Sequence, residues 1–328
     1  MATLTLAQAE SLVARALVRC RTSGVNAAVV ARALVAAEAD GLKGHGLSRL
    51  PTYAAQAKVG KVDGFATPSV ARPRAGAAVV DAVNGFAFPA IEAALALLPE
   101  MARASGIACA AIRRSHHCGA AGHPVERLAE RKLVAMMFAN TPAAIAPWGA
   151  AKPVFGTNPV AFACPLPGRS PVVVDLALSK MARGNIMAAR QKGERIPEGW
   201  ALDAAGKPTT DPDAALAGTM LPLGDAKGTA LVLMVELLAA GLTGANFAAD
   251  ASSFLDDKGP PPGTGQLIVA FDPDAFGETG EHVARLIGAI EAQPGARLPG
   301  ARRLATRRKA ASEGLQLSDA LLKDIEAL

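Results

Sequence analysis

The chain has 328 residues, of which 51% are hydrophobic and 19% are charged, and this composition excludes a disordered protein. The net charge is +5, from 34 basic and 29 acidic side chains, and no run of like charges concentrates the excess. The densest basic cluster, 302-RRLATRRK-309, is interpreted as a solvated face or an anion contact. We therefore expect no nucleic-acid partner.

Hydropathy and cysteine usage further limit the classes of protein to which the chain can belong. No stretch reaches the roughly 18 apolar residues that a membrane span requires, and the most apolar segment, 229-TALVLMVELLAAGL-242, carries Glu236 and is predicted to be a buried helix. The N-terminus lacks the pattern of a secretory signal peptide. The four cysteines show no CxxC spacing, so we expect reduced thiols and a cytoplasmic location.

Two helices are predicted at the start of the chain. Residues 5–21 place apolar residues at helical spacing, and Thr5 with Gln8 forms a potential capping box. A second helix is predicted over about 26–40, beginning at Asn26. Glycines end this helix and lead directly into the first motif.

From residue 75 the pattern changes to short apolar strands that alternate with helices. Strands are predicted at 77–82, 107–113, 133–139, 159–164, 171–178 and 266–272. Helices are predicted at about 89–104, 122–132, 225–243 and 278–291. This alternation predicts an α/β sheet covered on both faces. Two irregular stretches remain, 192–218 and 256–265, and the first is interpreted as a lid or a partner contact.

The segment 44-GHGLSR-49 is the strongest candidate for chemistry. A lone histidine is often a helix cap or a hydrogen-bonded core residue, but glycines flank His45 on both sides and would let a substrate reach the ring. Arg49 follows about one helical turn later and could hold a carboxylate through two parallel hydrogen bonds. A histidine acid beside a carboxylate clamp is what the reduction of a 2-oxo acid needs.

Three of the five histidines lie in 114-RSHHCGAAGHP-124. A metal site is not expected, because the adjacent His116 and His117 cannot easily point at one ion and no second ligand pair is evident. Two interpretations stay open. The segment is an ordinary strand-to-helix turn, or the start of the helix at 122–132 offers free N–H groups to an anion.

The remaining motifs place polar residues at turns or strand ends. Thr157 lies in a tight turn, and Asp175 ends an apolar strand, where it could orient His45 or contact a cofactor. Arg183 is a possible second substrate clamp, and Lys227 opens a helix whose N-terminus favours a phosphate. The P-loop and GxGxxG spacings are absent. The residues alone therefore indicate an α/β enzyme acting on a small anion, and they do not indicate hydride transfer.

Several motifs taken together resemble one family. The segments GHGLSRLPTY, RSHHCGAAG, FGTNP, DLALSKMARG, GDAKGTALVLMVE and RLPGARR, in this order, resemble the type-2 malate/L-lactate dehydrogenases over nearly the whole chain. Within that family the chain is most similar to the (2R)-3-sulfolactate dehydrogenase branch. Next comes the branch that reduces Δ1-piperideine-2-carboxylate and Δ1-pyrroline-2-carboxylate.

This resemblance implies a non-Rossmann nicotinamide-binding α/β fold with a mixed sheet and an N-terminal helical region. It also implies a homodimer and a division into residues 1–75, 76–220 and 221–328, the last completing the first lobe. His45 would be the proton donor and Asp175 a second catalytic residue, with NADP(H) favoured and NAD(H) possible. Substrate-binding residues would be Arg49, Thr157, Arg183 and Gly184. Cofactor-binding residues would be His117, Cys118, Gly119, Ala120, Ala121, Asp175, Leu176, Ala177, Lys227, Gly228, Arg297, Arg302 and Arg303.

One departure from the family pattern concerns the residue before the active histidine. Many members carry a serine there, whereas this chain has Gly44, so His45 would be tuned by Asp175 or by water. The resemblance implies interconversion of a small 2-hydroxy acid and its 2-oxo acid, a small-molecule carboxylate substrate. The alternatives are reduction of a cyclic imine and, in a different class, an anion-binding module without catalysis.

Overall fold

A seven-stranded mixed sheet forms the centre of the protein, seen in a computed structural model that describes residues 2–328. The strands are β1 (Ala2–Leu4), β2 (Ser69–Arg74), β3 (Ala77–Asp81), β4 (Ile107–Ser115), β5 (Val134–Ala139), β6 (Val160–Leu166), β7 (Arg169–Leu176), β8 (Ala201–Leu202), β9 (Pro208–Thr209), β10 (Thr219–Met220), β11 (Thr264–Phe271) and β12 (Leu315–Leu317). The order in the main sheet is β2-β3-β4-β11-β5-β6-β7. Only β3 and β4 pair in parallel among these neighbours, so the sheet is not the parallel sheet of a Rossmann fold.

Eleven α-helices surround the sheets within residues 2–328. They are α1 (Leu6–Arg19), α2 (Gly24–Ala39), α3 (Leu50–Val59), α4 (Ala87–Ser105), α5 (Gly122–Glu130), α6 (Arg183–Lys192), α7 (Pro212–Ala217), α8 (Asp225–Glu236), α9 (Thr279–Glu291), α10 (Ala301–Glu313) and α11 (Asp319–Glu326). Short 3-10 turns cover Lys43–His45, Leu47–Arg49 and Pro273–Phe276. The predicted mixed α/β fold with an N-terminal helical region is confirmed.

The two N-terminal helices begin as their caps dictate. The capping box at α1 is confirmed, because Thr5 Oγ1 accepts from the Gln8 amide and the Gln8 side chain accepts from the Thr5 amide. The predicted start of α2 at Asn26 was wrong. Ser23 is the cap, and its hydroxyl accepts from the Asn26 amide. Asn26 is instead buried inside the helix and donates to the Gly64 and Ala66 carbonyls.

The main sheet is covered on both faces, as the alternating sequence predicted. On β5, Ala135 and Met137 face a core formed with α4 and α5. The alternate residues Met136 and Phe138 face a second core formed with α8 and the small sheet of β8, β9 and β10. Because successive strand residues point to opposite faces, one apolar strand serves both layers.

The two ends of the chain meet in one helical lobe. Strand β1 pairs with β12, and α1, α2, α10 and α11 contribute to a shared core. The C-terminal third is not only helical, because β11 lies in the centre of the main sheet between β4 and β5. The domain boundaries at 75 and 220 stay a prediction.

The segment 192–218, expected to be an irregular excursion, has regular structure of its own. It contains β8, β9 and α7 and packs through buried Ile196, Ala201 and Ala215. The predicted helix 225–243 is α8 followed by a π-helical turn, Leu237–Gly241. No helix within residues 2–328 combines the length and the hydropathy that crossing a bilayer requires.

Candidate active site

The turn that carries His45 and Arg49 follows α2 as two short 3-10 helices. Gly46 is required by close packing, since a Cβ there would lie 2.3 Å from Glu38 Oε2 and 3.0 Å from the Glu38 backbone. The same Glu38 carboxylate accepts from the Leu47 amide at 3.0 Å. Arg49 Nε donates to the Gly44 carbonyl at 2.7 Å, so the guanidinium closes the turn on itself. A Cβ at Gly44 would meet open space, so packing does not dictate the departure from serine.

The His45 ring stacks on His117. The ring centroids are 5.2 Å apart and the planes differ by 8°. His45 Nδ1 is buried and has no hydrogen-bond partner among residues 2–328. Burial, followed by the positive charges of Arg49 and His123, lowers the pKa of His45 to about 4. The free protein therefore holds this imidazole neutral at pH 7.

Tyr53 fixes the second imidazole of the stack. Its hydroxyl lies 2.5 Å from His117 Nδ1, and its side chain is fully buried in α3. Burial raises the pKa of the Tyr53 phenol well above its usual range, so the phenol keeps its proton. The phenol thus donates to Nδ1, and neutral His117 carries its own proton on Nε2. The sequence reasoning did not identify Tyr53.

His116, the neighbour of His117, lies in an aromatic enclosure. Its ring centroid is 5.4 Å from Tyr53, 6.0 Å from Phe86 and 5.2 Å from Phe254. Neither ring nitrogen of His116 has a partner among residues 2–328. Burial, then the charges of Arg49 and Lys61, lowers the pKa of His116 to about 3. Phe254, which also packs 5.4 Å from the His117 ring, was missed by the sequence reasoning.

Asp175 brings two predicted cofactor segments together. The Asp175 carboxylate at the end of β7 accepts from the Gly122 amide, which opens α5, at 2.7 Å. A Cβ at Gly122 would lie 2.9 Å from that carboxylate oxygen, so only glycine allows the contact. Burial raises the pKa of Asp175, against the opposing effect of the Gly122 hydrogen bond.

The three residues Asp175, Leu176 and Ala177 thus lie beside the turn that runs from His117 to Ala121, where Cys118 and Ala120 are buried. Within residues 2–328, Asp175 makes no hydrogen bond to His45. No direct contact therefore supports the expectation that Asp175 orients His45. The residue that contacts the His45 ring is instead His117, which stacks on it.

Two of the predicted substrate residues, Thr157 and Arg183, lie in a loop and at the start of a helix, respectively. The Thr157 amide donates to Thr141 Oγ1 at 2.9 Å, and the two threonine hydroxyl oxygens are 3.3 Å apart. Arg183 is the first residue of α6, next to exposed Gly184. Arg183 Nε is buried without a partner in the described chain, and burial lowers the pKa of this guanidinium. A partly buried guanidinium whose Nε lacks a partner favours a bound anion.

The residues predicted to meet cofactor phosphates divide into two groups. Lys227 lies exposed in the first turn of α8, and Gly228 beside it is required because a Cβ there would lie 1.5 Å from the Leu223 carbonyl. Arg297 and Arg302 are exposed. Arg303 is different, because its guanidinium is committed to ion pairs within the protein.

Arg303 belongs to a cluster of charges that the sequence reasoning missed. Arg303 and Arg307 of α10 both pair with Asp40, the C-cap of α2, and with Glu126 of α5. His123 Nε2 lies 2.8 Å from the same Asp40 carboxylate. Burial alone would raise the pKa of Asp40, but hydrogen bonds from Arg307 and His123 hold it at about 2. The cluster ties the base of the His45 turn to α5 and α10.

Comparisons with known proteins agree with this architecture. The sequence profile described as malate/L-lactate dehydrogenase matches residues 4–326. The chain is 52% identical over 326 residues to the (2R)-3-sulfolactate dehydrogenase (NADP(+)) of Chromohalobacter salexigens, covering 99% of this chain and 97% of that protein. It is 42% identical over 309 residues to the Delta(1)-pyrroline-2-carboxylate/Delta(1)-piperideine-2-carboxylate reductase of Pseudomonas putida, covering 92% and 89%.

Solved structures give the same result. The delta1-piperideine-2-carboxylate reductase of Pseudomonas syringae pvar. tomato superposes with a TM-score of 0.92 at 40% identity, covering 100% of this chain and 99% of that one. The sulfolactate dehydrogenase of Methanocaldococcus jannaschii superposes with a TM-score of 0.91 at 28% identity, covering 99% and 96%.

Proposed function

This chain belongs to the malate/L-lactate dehydrogenase family of oxidoreductases, and we propose that it interconverts a small 2-hydroxy acid and its 2-oxo acid, with an anionic group at C3 as in 3-sulfolactate. The observation that carries the proposal is the single turn that holds His45 and Arg49. It places a neutral imidazole, with an unpartnered buried nitrogen, next to a guanidinium.

Arg49 is proposed to hold the substrate carboxylate. Its Nε is already used by the Gly44 carbonyl, which leaves the two terminal nitrogens free to meet a carboxylate end-on. The second anionic group of the substrate would then need its own cation. The buried, unpartnered Nε of Arg183 supports that role.

His45 is proposed to move the proton. A nicotinamide cofactor, when bound, supplies or accepts the hydride at C2. In the oxidation, neutral His45 takes the hydroxyl proton; in the reduction, protonated His45 gives it to the carbonyl oxygen. Because the charge of Arg49 lowers the pKa of His45, a substrate carboxylate on Arg49 raises that pKa again. Binding of the oxo acid thus favours the protonated ring that the reduction needs.

The residues present fit a dinucleotide, and we propose NADP(H). The relative from Chromohalobacter salexigens carries NADP(+) in its name. In this chain, the turn 117–121 and the residues 175–177 meet at the start of α5. At the start of α8, Gly228 has no side chain and so allows the Leu223 carbonyl to pack closely against the helix. Exposed Arg302 and Arg297 remain available for phosphate groups, whereas the Arg303 guanidinium is held in ion pairs with Asp40 and Glu126.

A second candidate function is reduction of a cyclic imine carboxylate. It is favoured by the structural match to the Pseudomonas syringae reductase. Such a substrate presents the same carboxylate to Arg49, but it has a nitrogen where the oxo acid has the oxygen that His45 would protonate. The higher identity to the sulfolactate enzyme favours the oxo acid.

The test is NADPH oxidation at 340 nm, with NADH in parallel, against 3-sulfopyruvate, oxaloacetate, pyruvate and Δ1-piperideine-2-carboxylate. We expect 3-sulfopyruvate with NADPH to give the highest kcat/KM. Turnover of the imine alone would establish the second candidate. NADPH binding without turnover of any of the four would contradict both.

The Arg49→Lys substitution is expected to raise KM for the oxo acid about 10- to 100-fold, because a point charge cannot replace the two parallel hydrogen bonds of the guanidinium. The value of kcat should fall much less, since His45 is untouched. Steady-state kinetics with saturating NADPH measure both constants. Arg15→Lys, at an exposed position of α1, is the matched control, and an unchanged KM in Arg49→Lys would remove Arg49 from the substrate site.

We also propose that the protein acts as a homodimer in the cytoplasm. Helix α8 and the π-helical turn after it expose four apolar side chains, Leu233, Met234, Leu237 and Leu242. Within residues 2–328, no other part of the chain covers this apolar stripe. A contiguous apolar stripe of this kind is typical of an interface. All four cysteines are free thiols, which suits a reducing compartment.

Leu237→Asp is expected to convert the dimer to a monomer, because it places a charge in the middle of the apolar stripe, where Leu237 is 54% exposed. Light scattering coupled to size-exclusion chromatography measures the mass. Leu286→Asp on α9, where the leucine is 64% exposed, is the control and should leave the mass unchanged. A wild-type monomer would contradict the proposal directly.

A further inference from the structure

Lys61 is a buried lysine whose ammonium group lies inside a cage of oxygen atoms. Its side chain has no exposed surface, and it is the only buried lysine within residues 2–328. Lys61 Nζ donates to the carbonyls of Ser253 (2.7 Å), Asp256 (3.0 Å) and Lys258 (2.6 Å), and it lies 3.3 Å from Asp256 Oδ1. All four partners are acceptors, so the geometry requires a nitrogen with several N–H groups, which is the protonated amine.

Every one of these acceptors lies on a single short loop, residues 253–258. Gln56 of α3 adds another bond to the same loop, from Nε2 to the Asp256 carbonyl at 2.8 Å. The loop has no helix or strand of its own, and its internal bonds are short-range ones, such as Leu255 amide to Ser253 Oγ. Lys61 therefore supplies most of the hydrogen bonds that fix the path of this loop to the body of the protein.

The loop carries Phe254, which forms a wall of the histidine site. The Phe254 ring packs 5.2 Å from His116 and 5.4 Å from His117, and it is 7% exposed. His117 in turn stacks on His45. A continuous series of contacts thus runs from the Lys61 ammonium through Phe254 and His117 to His45.

We infer that Lys61 is a positioning residue for the reaction: its ammonium holds the 253–258 loop so that Phe254 presses on His117 and keeps the His45–His117 stack in place. The atoms that Lys61 holds are far from it in sequence, with separations of 192 residues to Ser253 and 197 residues to Lys258. The functional part of this inference rests on the proposed function, and the anchoring of the loop does not.

The test removes the ammonium and then supplies it from solution. Lys61→Ala leaves a cavity that matches the propylammonium ion in size, and this ion restores the missing N–H donors. Tetramethylammonium carries the same charge without N–H groups and is the control ion. Lys61→Met, which keeps a stem of similar length without the donor, is the second variant in case the alanine variant does not fold. Lys58→Met, at an exposed position of α3, is the matched control.

Two measurements are made on each protein. Hydrogen exchange of the 253–258 amides, read by mass spectrometry, reports the loop and needs no turnover. Kinetics with the best substrate of the four-compound panel report kcat, KM and, separately, the Kd of NADPH. We expect loop exchange to rise about tenfold or more in both Lys61 variants, because the bonds that oppose local opening are lost. We expect kcat to fall about 10- to 100-fold with NADPH affinity retained, since a small displacement of a catalytic group is costly.

Propylammonium should restore both loop protection and kcat in Lys61→Ala, and tetramethylammonium should restore neither. Unchanged loop exchange in the Lys61 variants would overturn the anchoring, and a looser loop with wild-type kcat would overturn the positioning role. Rescue of the loop without rescue of kcat would overturn it as well. If wild-type protein turned over none of the four substrates, the proposed function would fail while the exchange data still decided the anchoring.

Discussion

His45→Asn is expected to lower kcat for reduction of the oxo acid by about 10²- to 10⁴-fold, the range that loss of a general acid produces. Asparagine can still donate a hydrogen bond, but it cannot deliver a proton. Because the ring stacks on His117 and makes no hydrogen bond through Nδ1, its removal leaves the neighbouring contacts of Tyr53 and Arg49 unchanged. We therefore expect the loss to appear in kcat rather than in the fold.

The measurement that isolates this role is a pair of experiments on one sample. Stopped-flow absorbance gives the rate of the first turnover, and a fluorescence titration gives the Kd of NADPH. We expect the first to fall by orders of magnitude and the second to change little. His282→Asn is the control, because His282 is an exposed histidine of α9 that is distant in sequence from the residues of the site. Wild-type turnover in His45→Asn would remove this residue from the mechanism.

The residues that act within one turn could be predicted from the sequence, whereas those that act across the fold could not. His45 and Arg49 lie four positions apart, so their proximity follows from local geometry alone. Tyr53, Phe254 and Lys61 reach the site through contacts that only the tertiary fold creates, such as the Tyr53–His117 bond over 64 positions. A tyrosine in an alanine-rich helix carries no local signal of that partner.

The same limit explains what the sequence reasoning placed less well. The apolar pattern located six of the seven strands of the main sheet, since strand periodicity is a local property. It missed β2, which is exposed along its whole length, and the small sheet of β8 to β10, whose strands have two residues each. Arg303 illustrates the other difficulty. A motif marks it as a phosphate contact, but whether a guanidinium is free depends on Asp40 and Glu126, which lie 263 and 177 positions away.

His116→Phe is expected to make the protein markedly more resistant to acid. The folded protein holds His116 neutral with a pKa of about 3, whereas the unfolded chain binds a proton at the ordinary value of 6.5. Between these values the unfolded state binds more protons, so stability is complete above pH 6.5 and is lost as the pH falls toward 3. His45, with a pKa of about 4, and His117, whose pKa burial also lowers, add to the loss in the same direction.

The size of the effect follows from the unfolded-state pKa. At pH 5 the contribution of His116 to the loss is about 2 kcal/mol, since each pH unit below 6.5 costs about 1.4 kcal/mol per buried neutral histidine. Asp40, whose pKa of about 2 lies below its ordinary 3.8, loses its contribution only below pH 3.8 and does not affect stability between pH 8 and pH 5. Phenylalanine fits the apolar contacts of Tyr53, Phe86 and Phe254 and removes the titrating group.

Urea unfolding at pH 8 and at pH 5 measures this effect. Comparing the two pH values separates proton binding from any change in packing that the substitution causes. Any misfit of the larger phenylalanine ring changes the free energy of unfolding equally at both pH values, so the difference between them isolates the proton linkage. We expect the drop from pH 8 to pH 5 to be about 2 kcal/mol smaller in His116→Phe than in the wild type. The exposed His282→Phe variant should show the wild-type drop. An equal drop in His116→Phe would mean that His116 is protonated in the folded protein at pH 5, which would require water or a charged partner inside the aromatic enclosure.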